Sequence, residues 1–231
     1  MEKIKWHAKN LFKLIKDKLK EKEIFFFGEV HGTKEIPLIL SLFFEFIDYP
    51  YNLALEIPSD YQERINNYLK SGDENVVYNC LFFKNSEESD GRNSQEYINL
   101  IKKIYLLNKN KINKIKILCV DISLDTMISS QNERESIIAG NLLKAAKFKK
   151  LFVVIGNVHA YKNIFTYENN NIYTVAYLLR KEKVLSISLL PTKGEFYNLG
   201  LRQMKSYKPQ NKEGYDLVYD LGRVTPCSFR K

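Results

Sequence analysis

IFFFGEVHG (residues 24–32) and LFVVIGNVHA (151–160) decide how this sequence is read. Each is a short, unbroken apolar run that stops at a glycine and places a histidine three residues further on: Gly28 with His31, Gly156 with His159. Apolar runs of this length suit strands buried on both faces, the kind found in parallel sheets. The chain has 3 His and 10 Gly in 231 residues. Two of three histidines falling in one frame is a coincidence well under about 1% on composition alone. A glycine at a strand end permits an unusual backbone angle and close approach of a ligand, and it lets a side chain three residues on face a crevice.

Outward from these runs, strand and helix alternate. Residues 52–57 (NLALEI), stopped by Pro58, and 117–122 (ILCVDI) read as two further buried strands. A helix over 38–47 is entered near Pro37, which suits a first helical position. Another runs to about residue 69, with Ser59 or Asp60 as its cap. Residues 94–107 form a helix capped by Ser94, with Tyr97, Leu100, Ile101, Ile104 and Leu107 on one face. Residues 132–147 form the next. Residues 71–93, polar around a short CLFF run, are expected as a long loop near a site, and 108–116 as a Lys/Asn connector. Residues 172–179, 184–190 and 215–221 read as additional strands. The predicted fold class is α/β: three layers, a largely parallel central sheet flanked by helices, with additional C-terminal strands. No Pro/Gly/Ser linker interrupts residues 1–231, which read as one domain.

Composition narrows the function classes. Hydrophobic residues are 45% and charged residues 27%, a globular balance, and the net charge is +9. The excess is mostly lysine scattered among asparagine, so no nucleic acid is expected as a partner. Cys80, Cys119 and Cys227 show no CxxC spacing, which argues against a disulfide scaffold or a cysteine zinc site. The longest apolar-rich stretch, 36–47, contains Ser41 and Glu45 and falls short of the roughly 20 residues a transmembrane helix needs. Residues 1–22 form a basic amphipathic helix, with Ile4, Leu11, Phe12, Leu14, Ile15 and Leu19 as its stripe, lidding the core, a membrane-surface helix being the alternative; His7 is read as surface. They lack the pattern of a signal peptide, and a cytoplasmic location is expected.

Ligands of open α/β sheets bind outside the carboxyl ends of the strands. Those ends carry Glu29 and His31, Glu56, Asp121, and His159. Histidine there can be a base, a proton donor or a metal ligand. Glu29 and Glu56 can orient an imidazole, activate water or share a divalent ion. Arg92, in DGRNS (90–94), and Arg134, in ERE (133–135), can pair with these carboxylates or stabilise an oxyanion. Candidate catalytic residues are therefore Glu29, His31, Glu56, Arg134 and His159, with Arg92 and Asp121 binding substrate. If a metal is held, its candidate ligands are Glu29, His31, Glu56 and His159. Removing His31 or Glu56 is expected to cost activity and no more than about 1 kcal/mol of stability.

GEVHGTKE (28–35), the strand ending in Glu56, DGRNS, Arg134 in NERESIIAGNLL (132–143), GNVHA (156–160) and YDLVYDLGRVTP (215–226) together resemble the erythromycin esterase-like, ChaN-like haem-uptake and TraB/Tiki superfamily. The resemblance runs from about residue 24 to 226. It implies a hydrolase acting on an ester, lactone or amide of a small molecule or peptide. His31 would be the base, Glu29 its orienter or a metal ligand, Glu56 a second carboxylate, and His159 a metal ligand or the group that protonates the leaving group. The alternatives are a haem- or iron-binding module and a non-catalytic partner-binding domain. The cofactor is open: none, or zinc or manganese, with haem the weaker alternative. A guanidinium at Arg134 repels a cation and favours a metal-free site.

Overall fold

The computed structural model describes residues 1–84, 89–147, 149–206 and 212–229. Its elements, in chain order, begin with α1 (Glu2–Ile15), β1 (Ile24–Glu29), α2 (Glu35–Phe43), β2 (Tyr51–Pro58), α3 (Gln62–Ser71), α4 (Asn75–Tyr78), α5 (Leu81–Lys84) and α6 (Gln95–Lys109). They continue with β3 (Ile117–Asp121), α7 (Gln131–Ala146), β4 (Lys150–Gly156), α8 (Asn157–Ala160), β5 (Phe165–Tyr167) and β6 (Asn170–Ile172). α9 (Val175–Leu178), β7 (Val184–Tyr197), β8 (Leu201–Gln203) and β9 (Leu217–Val224) follow.

The central sheet runs β3-β2-β4-β1-β7, every pair parallel; β9 extends it in parallel from β7, and β8 pairs antiparallel with the far end of β7. β1 lies between β4 and β7, so both of its faces and both of its edges are covered. Its pleat sorts the aromatic run. Phe25 and Phe27 join the core beneath α1, α2 and α6, whereas Ile24 and Phe26 join the one beneath α7 and α9. This is the predicted three-layer α/β class. Rings of Phe25 and Phe152 meet at 5.0 Å and those of Phe27 and Phe43 at 5.1 Å. Each fully buried phenylalanine contributes about 1.5–3 kcal/mol.

Several local expectations change. Residues 172–179 do not form a strand. β5 and β6 make a hairpin through Glu168 and Asn169, both at positive φ as a two-residue primed turn requires, and Thr174 then caps α9 by accepting from the Tyr177 amide. Pro37 is the third residue of α2, within the first turn, where its missing N–H costs nothing. Neither Ser59 nor Asp60 caps α3. Asp60 instead accepts from Ser123 Oγ at 2.7 Å and the Leu124 amide at 2.8 Å, clamping the loop after β3. His7 is buried, not surface: Nδ1 lies 3.1 Å from the Tyr219 hydroxyl of β9. The expected loop over 71–93 contains α4 and α5; its residues 85–88 lie outside the described ones.

Two devices finish the sheet. β3 is an edge strand, and the Gln62 side chain pairs with its outer backbone, donating to Ile117 O at 2.9 Å and accepting from Cys119 N at 2.9 Å. A side-chain amide thus imitates one residue of a neighbouring strand and blunts the edge. After β9 the chain folds back as a strap: Cys227 N donates to Gly32 O at 2.8 Å, Pro226 bridges Thr33, and Ser228 bonds Glu96 at the start of α6. Gly32, at φ +74°, could carry no side chain there, since a Cβ would fall 1.7 Å from Tyr197 O.

Candidate functional site

The parallel register sets the carboxyl ends of four adjacent strands side by side: Glu29 of β1 opposite Gly156 of β4, then Glu56 of β2 and Asp121 of β3. The structure brings all seven candidate residues, Glu29, His31, Glu56, Arg92, Asp121, Arg134 and His159, into one connected cluster. Glu56, 2% exposed, is its centre. Its Oε1 accepts from Arg92 Nη1 at 3.0 Å and Arg134 Nη2 at 2.8 Å, and its Oε2 from the Gly156 amide at 2.7 Å. His31 Nε2 stands 3.4 Å from Oε2, and His159 Nε2 stands 3.5 Å from Oε1. Asp121 joins both guanidiniums, through Arg92 Nη1 at 2.9 Å and Arg134 Nε and Nη2 at 2.9 and 2.8 Å. Asp90 Oδ2 holds Arg92 Nε at 2.7 Å.

Each imidazole has a second carboxylate at its back. His31 Nδ1 lies 2.7 Å from Glu29 Oε1, which also accepts from the Tyr97 hydroxyl. His159 Nδ1 lies 2.7 Å from Glu135 Oε1, an ion-pair distance without good hydrogen-bond alignment. Glu135 is fully buried and anchored by Gln131 Nε2 at 2.7 Å and the Val175 amide at 2.8 Å. Glu135 and Tyr97 are the residues that sequence reasoning missed. Glu135 stood in the charged triplet beside Arg134, and Tyr97 on the apolar stripe of its helix. The one available signal was that Glu135 lies four residues after Gln131, on the face of α7 that turns inward with Ile138 and Leu142.

The two motif glycines act through space rather than backbone angle, since neither has a positive φ. A Cβ on Gly28 would fall 2.6 Å from Asn157 Oδ1 and 2.8 Å from Ala160 Cβ, so Gly28 lets α8 settle on β1. A Cβ on Gly156 would fall 2.9 Å from His31 Nε2. Gly156→Ala is therefore expected to push His31 off Glu56 and return its titration toward neutrality, read from the imidazole proton shifts by NMR against pH. An unmoved titration curve would show that the two motifs are not coupled at this point.

Protonation states follow from these contacts. Burial alone would lower the His31 pKa, but the Glu56 charge, the hydrogen bonds to Glu29 and Glu56, and the Asp90 charge raise it to about 10. His31 is an imidazolium at neutral pH. Burial alone would raise Glu56, and the Arg92 charge, together with the charge and hydrogen bond of His31, instead holds it well below the ordinary carboxylate range. Asp121 is likewise lowered against its burial, chiefly by the Arg134 hydrogen bond. Arg134 Nη1 lies 3.2 Å from His159 Nε2. A guanidinium has no acceptor, so Nε2 receives this bond, and the ring proton sits on Nδ1 beside Glu135.

This donor set does not fit a resident metal. Two guanidiniums and a backbone amide occupy both oxygens of Glu56, the carboxylate an ion would need most, and both Nδ1 atoms face carboxylates. Among the described residues no group of three or more His, Cys, Asp or Glu side chains is disposed to hold an ion. Beside the cluster, a cleft of about 860 Å³ has Asp90 and Arg92 at one side and Tyr61, Phe82, Leu124 and Leu199 as apolar wall. That volume suits a small molecule.

No protein-family model and no curated protein matches the chain by sequence. Solved structures match it in shape. A succinoglycan biosynthesis protein superposes with a TM-score of 0.71 at 12% identity, over 95% of this chain and 92% of that one. A protein from Bacillus cereus gives 0.67 at 11% identity, over 96% and 93%. The erythromycin esterase EreC, a mutant in its open conformation, gives 0.60 at 12% identity, over 84% and 78%. The chain thus has the fold of the erythromycin esterase-like group that its motifs resemble.

Proposed function

We propose that the chain is a hydrolase of ester, lactone or amide bonds in small molecules, working without a metal at the Glu56 cluster. One arrangement carries this reading: two histidines, each with a carboxylate at its Nδ1, flank one shared carboxylate, and Arg92 of the same cluster lines a cleft. EreC, similar in fold, is an esterase by name, which agrees with the chemistry without specifying it.

The proposed division of labour differs from the sequence expectation, in which His31 is the base. His159 presents Nε2, to which Arg134 donates in the free chain, and is the group to take a proton from water once substrate draws that guanidinium onto its oxyanion, with Glu135 balancing the charge that forms on the ring. His31 carries a proton and is the group to give one to the leaving oxygen or nitrogen. Glu29, held by Tyr97, keeps the His31 ring in place. Arg92 and Arg134, with affinities for their protons raised above the ordinary guanidinium by Glu56 and Asp121 despite burial, stay charged and stabilise the oxyanion. Proton transfer by a placed side chain contributes about 10²–10⁴-fold.

The test is a panel of p-nitrophenyl esters and simple lactones assayed in chelator-treated buffer. Turnover above background is expected, lost by about a hundredfold or more in His31→Gln and in His159→Gln. Turnover that both variants retain would place the chemistry elsewhere. Turnover that appears only when zinc or manganese is added would overturn the metal-free reading.

A further inference from the structure

α1 turns one face to the core and leaves a second, unusual face to solvent. His7, Ala8, Leu11 and Ile15 are buried. At about 100° per residue, the position opposite them is Trp6, which is 61% exposed, and Leu14 on the same flank is 46% exposed. Trp6, Asn10 and Leu14 stack as an i, i+4, i+8 row. Trp6 is the chain's one tryptophan, and a residue of that kind ordinarily buries most of its surface. Lys3, Lys5, Lys9, Lys13 and Lys16, all exposed, surround the row. Residues 1–22 hold 8 Lys against Glu2, Asp17 and Glu21, a net +5 of the chain's +9. Lys18 pairs with Glu21 at 3.5 Å, and Lys3 donates to Arg223 O at 3.1 Å. Among the described residues no ion pair engages Lys5, Lys9, Lys13 or Lys16.

We propose that this outer face of α1 docks on an anionic phospholipid bilayer, with Trp6 and Leu14 entering the boundary between headgroups and acyl chains and the lysines lying over the phosphates. The charge is complementary and diffuse. Lysine supplies it as point charges, with no arginine fork in residues 1–22 to read a fixed phosphate or carboxylate geometry. An indole and a leucine two turns apart on one flank, among lysines, make the composition that seats at a membrane interface. The helix is already folded and held by its core face, so no ordering cost falls on the binding step.

Because Trp6 is the single tryptophan, its emission reports this face directly in the full chain. Phosphatidylcholine vesicles containing phosphatidylserine are expected to shift the emission to shorter wavelength and to carry the protein down on centrifugation. High salt should reverse both effects. Phosphatidylcholine alone should do neither. Lys9→Gln combined with Lys13→Gln is expected to cut partitioning about thirtyfold, with the far-ultraviolet circular dichroism unchanged. Trp6→Ser should weaken co-sedimentation while leaving the fold intact. An emission that does not move with the anionic vesicles, an equal shift with neutral ones or with duplex DNA, or unchanged binding by the double lysine variant would each overturn the proposal.

Discussion

Glu56→Ala lowers the unfolding free energy by about 3–5 kcal/mol, the usual cost of leaving buried charges without their partner. Both carboxylate oxygens of Glu56 are engaged, by Arg92, Arg134 and the Gly156 amide, and both histidines stand beside it. The alanine variant strands two guanidiniums and an imidazolium in a nearly dry site. Asp121 remains to neutralise part of that charge, which keeps the loss near the lower end. The measurement is urea denaturation of both proteins, with the two midpoints compared at equal slope. A change under about 1 kcal/mol would mean that water reaches the cluster freely. This expected loss differs from the sequence expectation that Glu56 is removable at little cost: a residue at a strand end reads as exposed until its partners are known.

His31 sets the second large effect. Its folded pKa is about 10 against an ordinary 6.5. Because the folded value is the higher one, the stabilisation is complete below about pH 6.5 and disappears as pH rises through about 10. At roughly 1.4 kcal/mol for each tenfold change in proton affinity, the loss over that interval is on the order of 5 kcal/mol. Denaturation midpoints should fall across the window in the unaltered chain. In His31→Gln they should fall much less, and the difference between the two curves isolates the imidazole from lysines and tyrosines titrating in the same range. Parallel curves would show that His31 is not charged at neutral pH.

The fold was legible because its strands announce themselves. A strand buried on both faces is apolar at nearly every position, and IFFF, LAL, ILCV and LFVV are. The site followed, since glycine and histidine recur where parallel strands end. Less visible was anything set by contacts across the sequence. Glu135 looks like a surface charge until Val175 and Gln131 close around it. His7 looks solvated until β9, more than two hundred residues later, supplies Tyr219. The residues 172–179 carry strand-like composition, but a two-residue turn draws the first of them into a hairpin and a threonine cap turns the rest into helix. The proton placement from which we propose the histidine roles was not legible either, because it depends on which nitrogen meets which partner.

The central position of β1 has a consequence for how the chain reaches this structure. Its neighbours in the sheet are β4 and β7, more than a hundred residues downstream, whereas β2, next in sequence among the strands of the sheet, lies two places away. The stickiest segment of the protein is therefore made early and paired late. The entropy of loop closure is lost before those contacts form, which makes for slow folding. Until residues 150–156 and 184–188 arrive, Ile24–Phe27 presents two open edges and two apolar faces. During synthesis that interval is when a partly made chain is most apt to aggregate or to be held by a chaperone.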